Sequence, residues 1–163
     1  MIENLHEDER CIEGTVRSDI FDREMSVMIC DGAPVEYAEK CARAMNSLSD
    51  ETLDIICRAA KKYCLWMASF GSLDDEWYDM KVPIYEDTPA REILKNVCLD
   101  LVVEKPEDNS IGYCLSGSCG WEPEHGIEIE IKDNKVLYVG AYEGHSAWDD
   151  FPKDDEYNFV NLI

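Results

Sequence analysis

Basic residues are scarce in this chain: 15 Lys and Arg stand against 36 Asp and Glu, for a formal net charge of -21 at pH 7 and a pI near 4.3. A surface of that sign repels phosphate backbones, which excludes nucleic-acid binding through a basic face. Long apolar runs are missing as well, and no stretch approaches the roughly 18 apolar residues that a membrane helix requires. The opening residues MIENLHEDERC carry no basic stretch followed by an apolar one, so a signal peptide is not expected. Gly112, Gly117 and Gly120 lack the strand–turn–helix setting of a phosphate loop, and G-x-S-x-G does not occur. The eight cysteines are scattered rather than framed by paired short spacings. Without an export signal they read as free thiols, and the expected location is cytoplasmic.

What is present suffices for a folded domain. Hydrophobic residues make up 45% of the 163 residues and four are tryptophans, which argues against disorder. A chain of this length buries a core without staples. One domain over 1–163 is expected, with 1–9 and 157–163 loose. The acidic balance favours solubility and association with cations or a basic partner, and its self-repulsion makes added salt stabilising.

Two β-prone runs, 11–16 and 25–30, flank a polar connection and predict a hairpin that Asp31-Gly32 ends. Pro34 suits the first turn of a helix, and Val35, Ala38, Ala42 and Met45 recur at helical spacing. Ser49 can cap a second helix whose first turn holds Asp50 and Glu51, well placed against the positive end of the helix dipole. Its apolar face is Leu53, Ile56, Cys57, Ala60, Cys64 and Met67. The acidic stretch 71–87 reads as a surface connection with an aromatic anchor, and Thr88-Pro89 starts a short third helix to about Val97. From Cys98 the period changes. Strands are predicted over 98–104, 110–115, 127–132 and 135–142, the third alternating isoleucines on one face with charges on the other. The fold class is α+β: an N-terminal β-hairpin, two to three helices, and a C-terminal antiparallel meander rather than a βαβ arrangement. Trp148, Phe151 and Phe159 predict that the acidic tail packs back.

The segment SCGWEPEHGIEIE concentrates a cysteine, a tryptophan, carboxylates and one of three histidines. Cys114, Cys119 and His125 could supply three zinc ligands, with Glu124 or His145 as a fourth, but C-x4-C-x5-H matches no common zinc spacing. Cys119 with His125 or His145 and Asp149 could be drawn as a nucleophile, base and orienter, a pattern that any chain rich in these residues allows. Asp74, Asp75, Glu76 and Asp79 offer oxygens without EF-hand spacing. No metal or other cofactor is expected. Cys41, Cys57 and Cys64 read as small core hydrophobes, and Trp66 and Met67 as core. Trp77, Tyr78 and Tyr85 either pin a loop or, among carboxylates, grip a basic protein.

The run Trp121-Glu122-Pro123-Glu124-His125-Gly126, followed by 127–129 and 133–140, resembles a family of uncharacterised acidic bacterial α+β domains with a W-[DE]-x-E-H-G turn before a C-terminal hairpin. The resemblance covers about residues 10–142 and implies that Trp121, Glu124, His125 and Gly126 are signature positions. Some relatives look like immunity proteins that neutralise polymorphic toxins, so the resemblance also implies binding rather than catalysis. On the residues alone, Pro123 fixes a turn, Gly126 accepts a positive φ and Trp121 covers the end of the sheet; an ornate turn and a partner contact both stay open. The expected function is a non-enzymatic, immunity-type or other inhibitory protein whose acidic face covers a basic partner such as a toxin. Its contacts are expected at Asp74, Asp75, Glu76, Trp77, Glu124, His125, Asp149 and Asp150. The alternative is a metal-dependent or cysteine/histidine hydrolase centred on the WEPEHG segment.

Overall fold

A computed structural model describes residues 1–7, 10–71 and 79–163. Seven strands form one sheet in sequence order: β1 (Glu3–Glu7), β2 (Cys11–Ser18), β3 (Arg23–Cys30), β4 (Val97–Val103), β5 (Gly112–Cys119), β6 (Glu122–Lys132) and β7 (Lys135–Gly140). Between β3 and β4 run α1 (Val35–Asn46), α2 (Asp50–Ala68) and a 3-10 segment, Ala90–Asn96. The fold is α+β, with the expected N-terminal hairpin and C-terminal strands. The sheet is not wholly antiparallel, however. β3 and β4 pair in parallel, Val27 beside Leu101 and Ile29 beside Val103. The helices supply a crossover long enough to return the chain to the same end of the sheet, which a parallel pair needs.

The helices lie on one face of the sheet because their apolar stripes match its inward residues. Ser49 caps α2 by accepting the Thr52 N–H at 3.1 Å. Ile56, Cys57, Ala60, Tyr63 and Cys64 then bury against Ile127, Ile129 and Ile131 of β6 and Val139 of β7. Each fully buried isoleucine contributes roughly 1.5–3 kcal/mol. Tyr37 of α1 ties the layers together: its hydroxyl accepts the Gly112 N–H at 2.8 Å and faces the carbonyls of Ser110 and Gly112.

Several expectations need correction. The N-terminus is not loose: Glu3–Glu7 adds an edge strand antiparallel to β2, with an irregularity between Glu3 and His6. At the other end Phe159 is buried and stacks on Tyr63 with ring centroids 4.9 Å apart. Asn158 docks that end, accepting the Val139 N–H and donating to the Leu137 carbonyl, so it occupies the open edge of β7. The third helix is 3-10, and Thr88 does not cap it; its hydroxyl accepts the Tyr85 N–H instead. Cys11 and Cys30 are not free thiols. They face each other across the β2–β3 ladder with Cα atoms 4.5 Å apart and form a disulfide, because that spacing of a narrow antiparallel pair suits the bond. Cys41, Cys57, Cys64, Cys98, Cys114 and Cys119 remain thiols. No described helix is long and apolar enough to cross a membrane.

The tail after β7 covers part of the opposite sheet face. Trp148 lies under Lys132, whose ammonium sits 4.1 Å from the ring centroid, and Gly112 leaves the room: a Cβ there would stand 3.0 Å from that of Ala147 and 3.1 Å from the Trp148 ring. On the same face Tyr138 packs beside His145 and Phe151.

Candidate functional site

The WEPEHG segment is not a turn before a strand. The reversal is Gly120-Trp121, and β6 starts at Glu122, with a bulge against β5 between Gly117 and Cys119. The bulge exists because Gly126 has a φ of +69° and its Cα approaches the Gly117 carbonyl so closely that a Cβ would lie 2.2 Å from the oxygen. The Glu122 carboxylate steadies the irregular backbone by accepting the N–H groups of Glu124 (2.9 Å) and His125 (3.3 Å). Trp121 is fully buried and meets Tyr63 edge-on, as expected for a residue closing the sheet's end.

The proposed Cys114–Cys119–His125 cluster is not assembled. The two cysteines are an odd number of positions apart on one strand and so face opposite sides of the sheet. Cys119 points into the helix-side core, where burial pushes its thiol up to about 12, and its Sγ lies 3.7 Å from the Glu122 carbonyl. His125 is on the outside, with Nδ1 3.5 Å from Glu122. The drawn Cys119–His145–Asp149 triad fails for the same reason, since His145 belongs to the other face. There its Nδ1 lies 2.9 Å from Glu128, and Asp149 accepts the Ser146 N–H at 2.8 Å. Glu124 and Asp150 are exposed. Asp74, Asp75, Glu76 and Trp77, with Tyr78, lie outside the described residues.

Two concave surfaces flank the segment after β7. The first is a cleft of about 360 Å³ on the uncovered part of the far face, lined by Asp100, Glu104, Cys114, Glu128, Tyr142 and His145 among others. Strand register builds its floor: Cys114 pairs with Glu130 and Ser116 with Glu128 across β5 and β6. Glu128 is 1% exposed and Glu130 0%, so the charged face of β6 that alternation predicted is itself buried here. One oxygen of Glu128 accepts the Glu143 N–H at 3.1 Å and faces His145; its other oxygen and both oxygens of Glu130 have no protein partner. Burial pushes the Glu130 carboxyl up to about 8; the facing Cys114 thiol opposes this, and negative charge at Glu128, Glu104 and Asp149 adds to it. Burial also holds the Cys114 thiol well above its usual range, and Glu130 adds to this.

The second surface is a groove of about 380 Å³ formed by Trp66, Met67, Phe70, Tyr157 and Phe159, with Glu122, Glu143 and His125 among its lining residues. Trp66, Phe70 and Tyr157 are 37%, 70% and 60% exposed, so an aromatic patch forms at the end of α2 that includes Trp66, which the sequence predicted as core. His125 borders both surfaces and, among the described residues, is the one expected contact that lines either. Sequence reasoning missed Glu128, Glu130, Phe70 and Tyr157. The aromatic tail was the available signal, since a tail that packs back must cover one face of the sheet.

Compared with known proteins, residues 1–146 match the model of a family described as a domain of unknown function, DUF6985. No curated protein and no solved structure matches the chain.

Proposed function

The chain belongs to the DUF6985 domain family, and we propose that it is a non-enzymatic protein that binds a basic protein partner through the aromatic groove at the end of α2. The observation that carries this reading is the groove itself: three exposed aromatic rings beside the carboxylates of Glu122 and Glu143, on a chain of net charge -21. Aromatic anchors inside a charged rim are what a protein–protein contact concentrates its energy in, and opposite charge accelerates the encounter. Arg and Lys side chains of the partner would meet both the carboxylates and the ring faces. On this reading the chain is an inhibitory, immunity-type protein of a bacterium and its partner is a toxin. His125 lines the groove, Glu124 precedes it in the chain, and the exposed Asp149 and Asp150 add acidic surface on the tail.

The test is capture of a partner from source-cell lysate, followed by titration of the purified pair. Trp66→Ala with Phe70→Ala should weaken binding by about 2 kcal/mol or more, roughly 30-fold in Kd, and added salt should slow association. Charge reversal at Glu24 and Glu86, exposed residues outside the groove, should leave Kd within about threefold. A partner that is not basic, or one held equally well by the double alanine variant, would sink the proposal.

A further inference from the structure

We propose that Cys114, Glu128 and Glu130 form a binding site for a zinc-class divalent metal ion, with His145 holding Glu128 in place from behind. One ligand atom from each of the three residues lies within 4.8 Å of the others. Strand geometry enforces the grouping: Cys114 and Glu130 are paired residues of β5 and β6, and Glu128 is two positions along β6 on the same face. The site shares no residue with the aromatic groove and does not depend on it.

A cluster of carboxylates alone would not carry this. The deciding feature is Glu130, wholly buried with neither oxygen partnered, and bordering a cavity of about 10 Å³ that Cys114 also lines. That space admits about one water-sized sphere. A free oxygen of Glu128 joins the same set. Three carboxylate oxygens and one sulfur therefore converge, with no hydrogen-bond donor among them except a proton carried by the thiol or by the Glu130 carboxyl itself, a burial that a cation replacing those protons would offset. The other Glu128 oxygen is committed to the Glu143 N–H and His145, the kind of outer contact that orients a ligating carboxylate.

The donor types select the metal. Calcium and magnesium take oxygen ligands in sixfold or higher coordination, whereas one thiolate with two carboxylates suits zinc and the ions that replace it. Cys114 and Glu128 also line the 360 Å³ cleft, which gives an ion its route in.

Chelator-stripped full-length protein should be titrated with Co²⁺ and then Zn²⁺. One equivalent of Co²⁺ is expected to produce a thiolate-to-cobalt charge-transfer band that Zn²⁺ abolishes. Cys114→Ser should lose the band and Glu130→Gln should lose at least about tenfold in affinity, while His145→Ala should lose roughly 10–100-fold. Cys98→Ser removes the exposed thiol and should change nothing. Absence of the band in folded protein would overturn the proposal, as would a band that survives Cys114→Ser or vanishes in Cys98→Ser. Calcium or magnesium competing as well as zinc would overturn it too, since only the acidic surface would then be binding. If Cys114→Ser does not fold, folded Glu130→Gln decides: unchanged cobalt affinity refutes the site.

Discussion

Replacing Glu130 with glutamine should stabilise the metal-stripped protein above neutral pH and leave it little changed in mild acid. Glu130 is wholly buried, and its carboxyl is raised from 4.5 to about 8. The folded state therefore keeps a proton that the unfolded chain releases above its own pKa. The stability this group contributes is full below about pH 4.5, falls as pH rises, and is gone above about pH 8. Each unit of pKa difference is worth roughly 1.4 kcal/mol, so the whole window carries at most about 5 kcal/mol. Working between about pH 5.5 and 8.5 avoids the pI near 4.3 and still spans about 3 kcal/mol of it. The glutamine side chain is neutral and of nearly the same size as glutamate, so the substitution opens no cavity. Other carboxylates tilt both stability curves, which makes the difference between the two proteins the quantity to read. Urea unfolding in EDTA at four pH values supplies it. Curves that stay parallel within about 1 kcal/mol would refute the assignment of a buried, protonated Glu130.

Three further outcomes are expected. Cys11→Ser with Cys30→Ser should lower stability by about 3 kcal/mol from the loss of a 19-residue loop constraint, read as a lower urea midpoint than in the oxidised protein. Equal midpoints would place the restraint in the β2–β3 ladder alone. Gly126→Ala should cost at least about 2 kcal/mol, because it combines a left-handed backbone with a contact against the Gly117 carbonyl. A thermal midpoint unchanged by that substitution would contradict the bulge. Tyr37→Phe should cost about 1–3 kcal/mol by leaving the buried Gly112 N–H without its acceptor, and amide exchange at Gly112 should speed up in parallel.

Local chemistry carried much of the fold. Ser49 with Asp50 and Glu51 marked the start of α2, and the stripe through Leu53, Ile56, Cys57, Ala60 and Cys64 marked its buried face. The hairpin around 18–23 even implies the disulfide: a symmetric ladder about that turn sets Cys11 opposite Cys30, a register that outweighs the scattered spacing of the cysteines. The edge strand Glu3–Glu7 left no pattern because all five of its side chains are exposed. The parallel β3–β4 pair was equally silent, since it depends on where the crossover lands.

The candidate sites were legible in composition and not in position. Excess negative charge and the aromatic tail were visible, and they pointed to an acidic, partly covered surface. Alternation in Ile127–Lys132 correctly sent isoleucines one way and glutamates the other. It could not say that the glutamates' side was also covered, because a period of two fixes only that neighbours point apart. Only the tertiary structure, which folds Tyr142, Ala147 and Trp148 over that face and sets Cys114 against Glu130 past the Gly117–Cys119 bulge, turns two surface charges into a buried pair. Helix stripes, caps and strand faces are determined within a few residues and belong to the sequence itself. Which face is dry, and which side chains meet there, depends on register and on a distant tail, and only the assembled chain decides it.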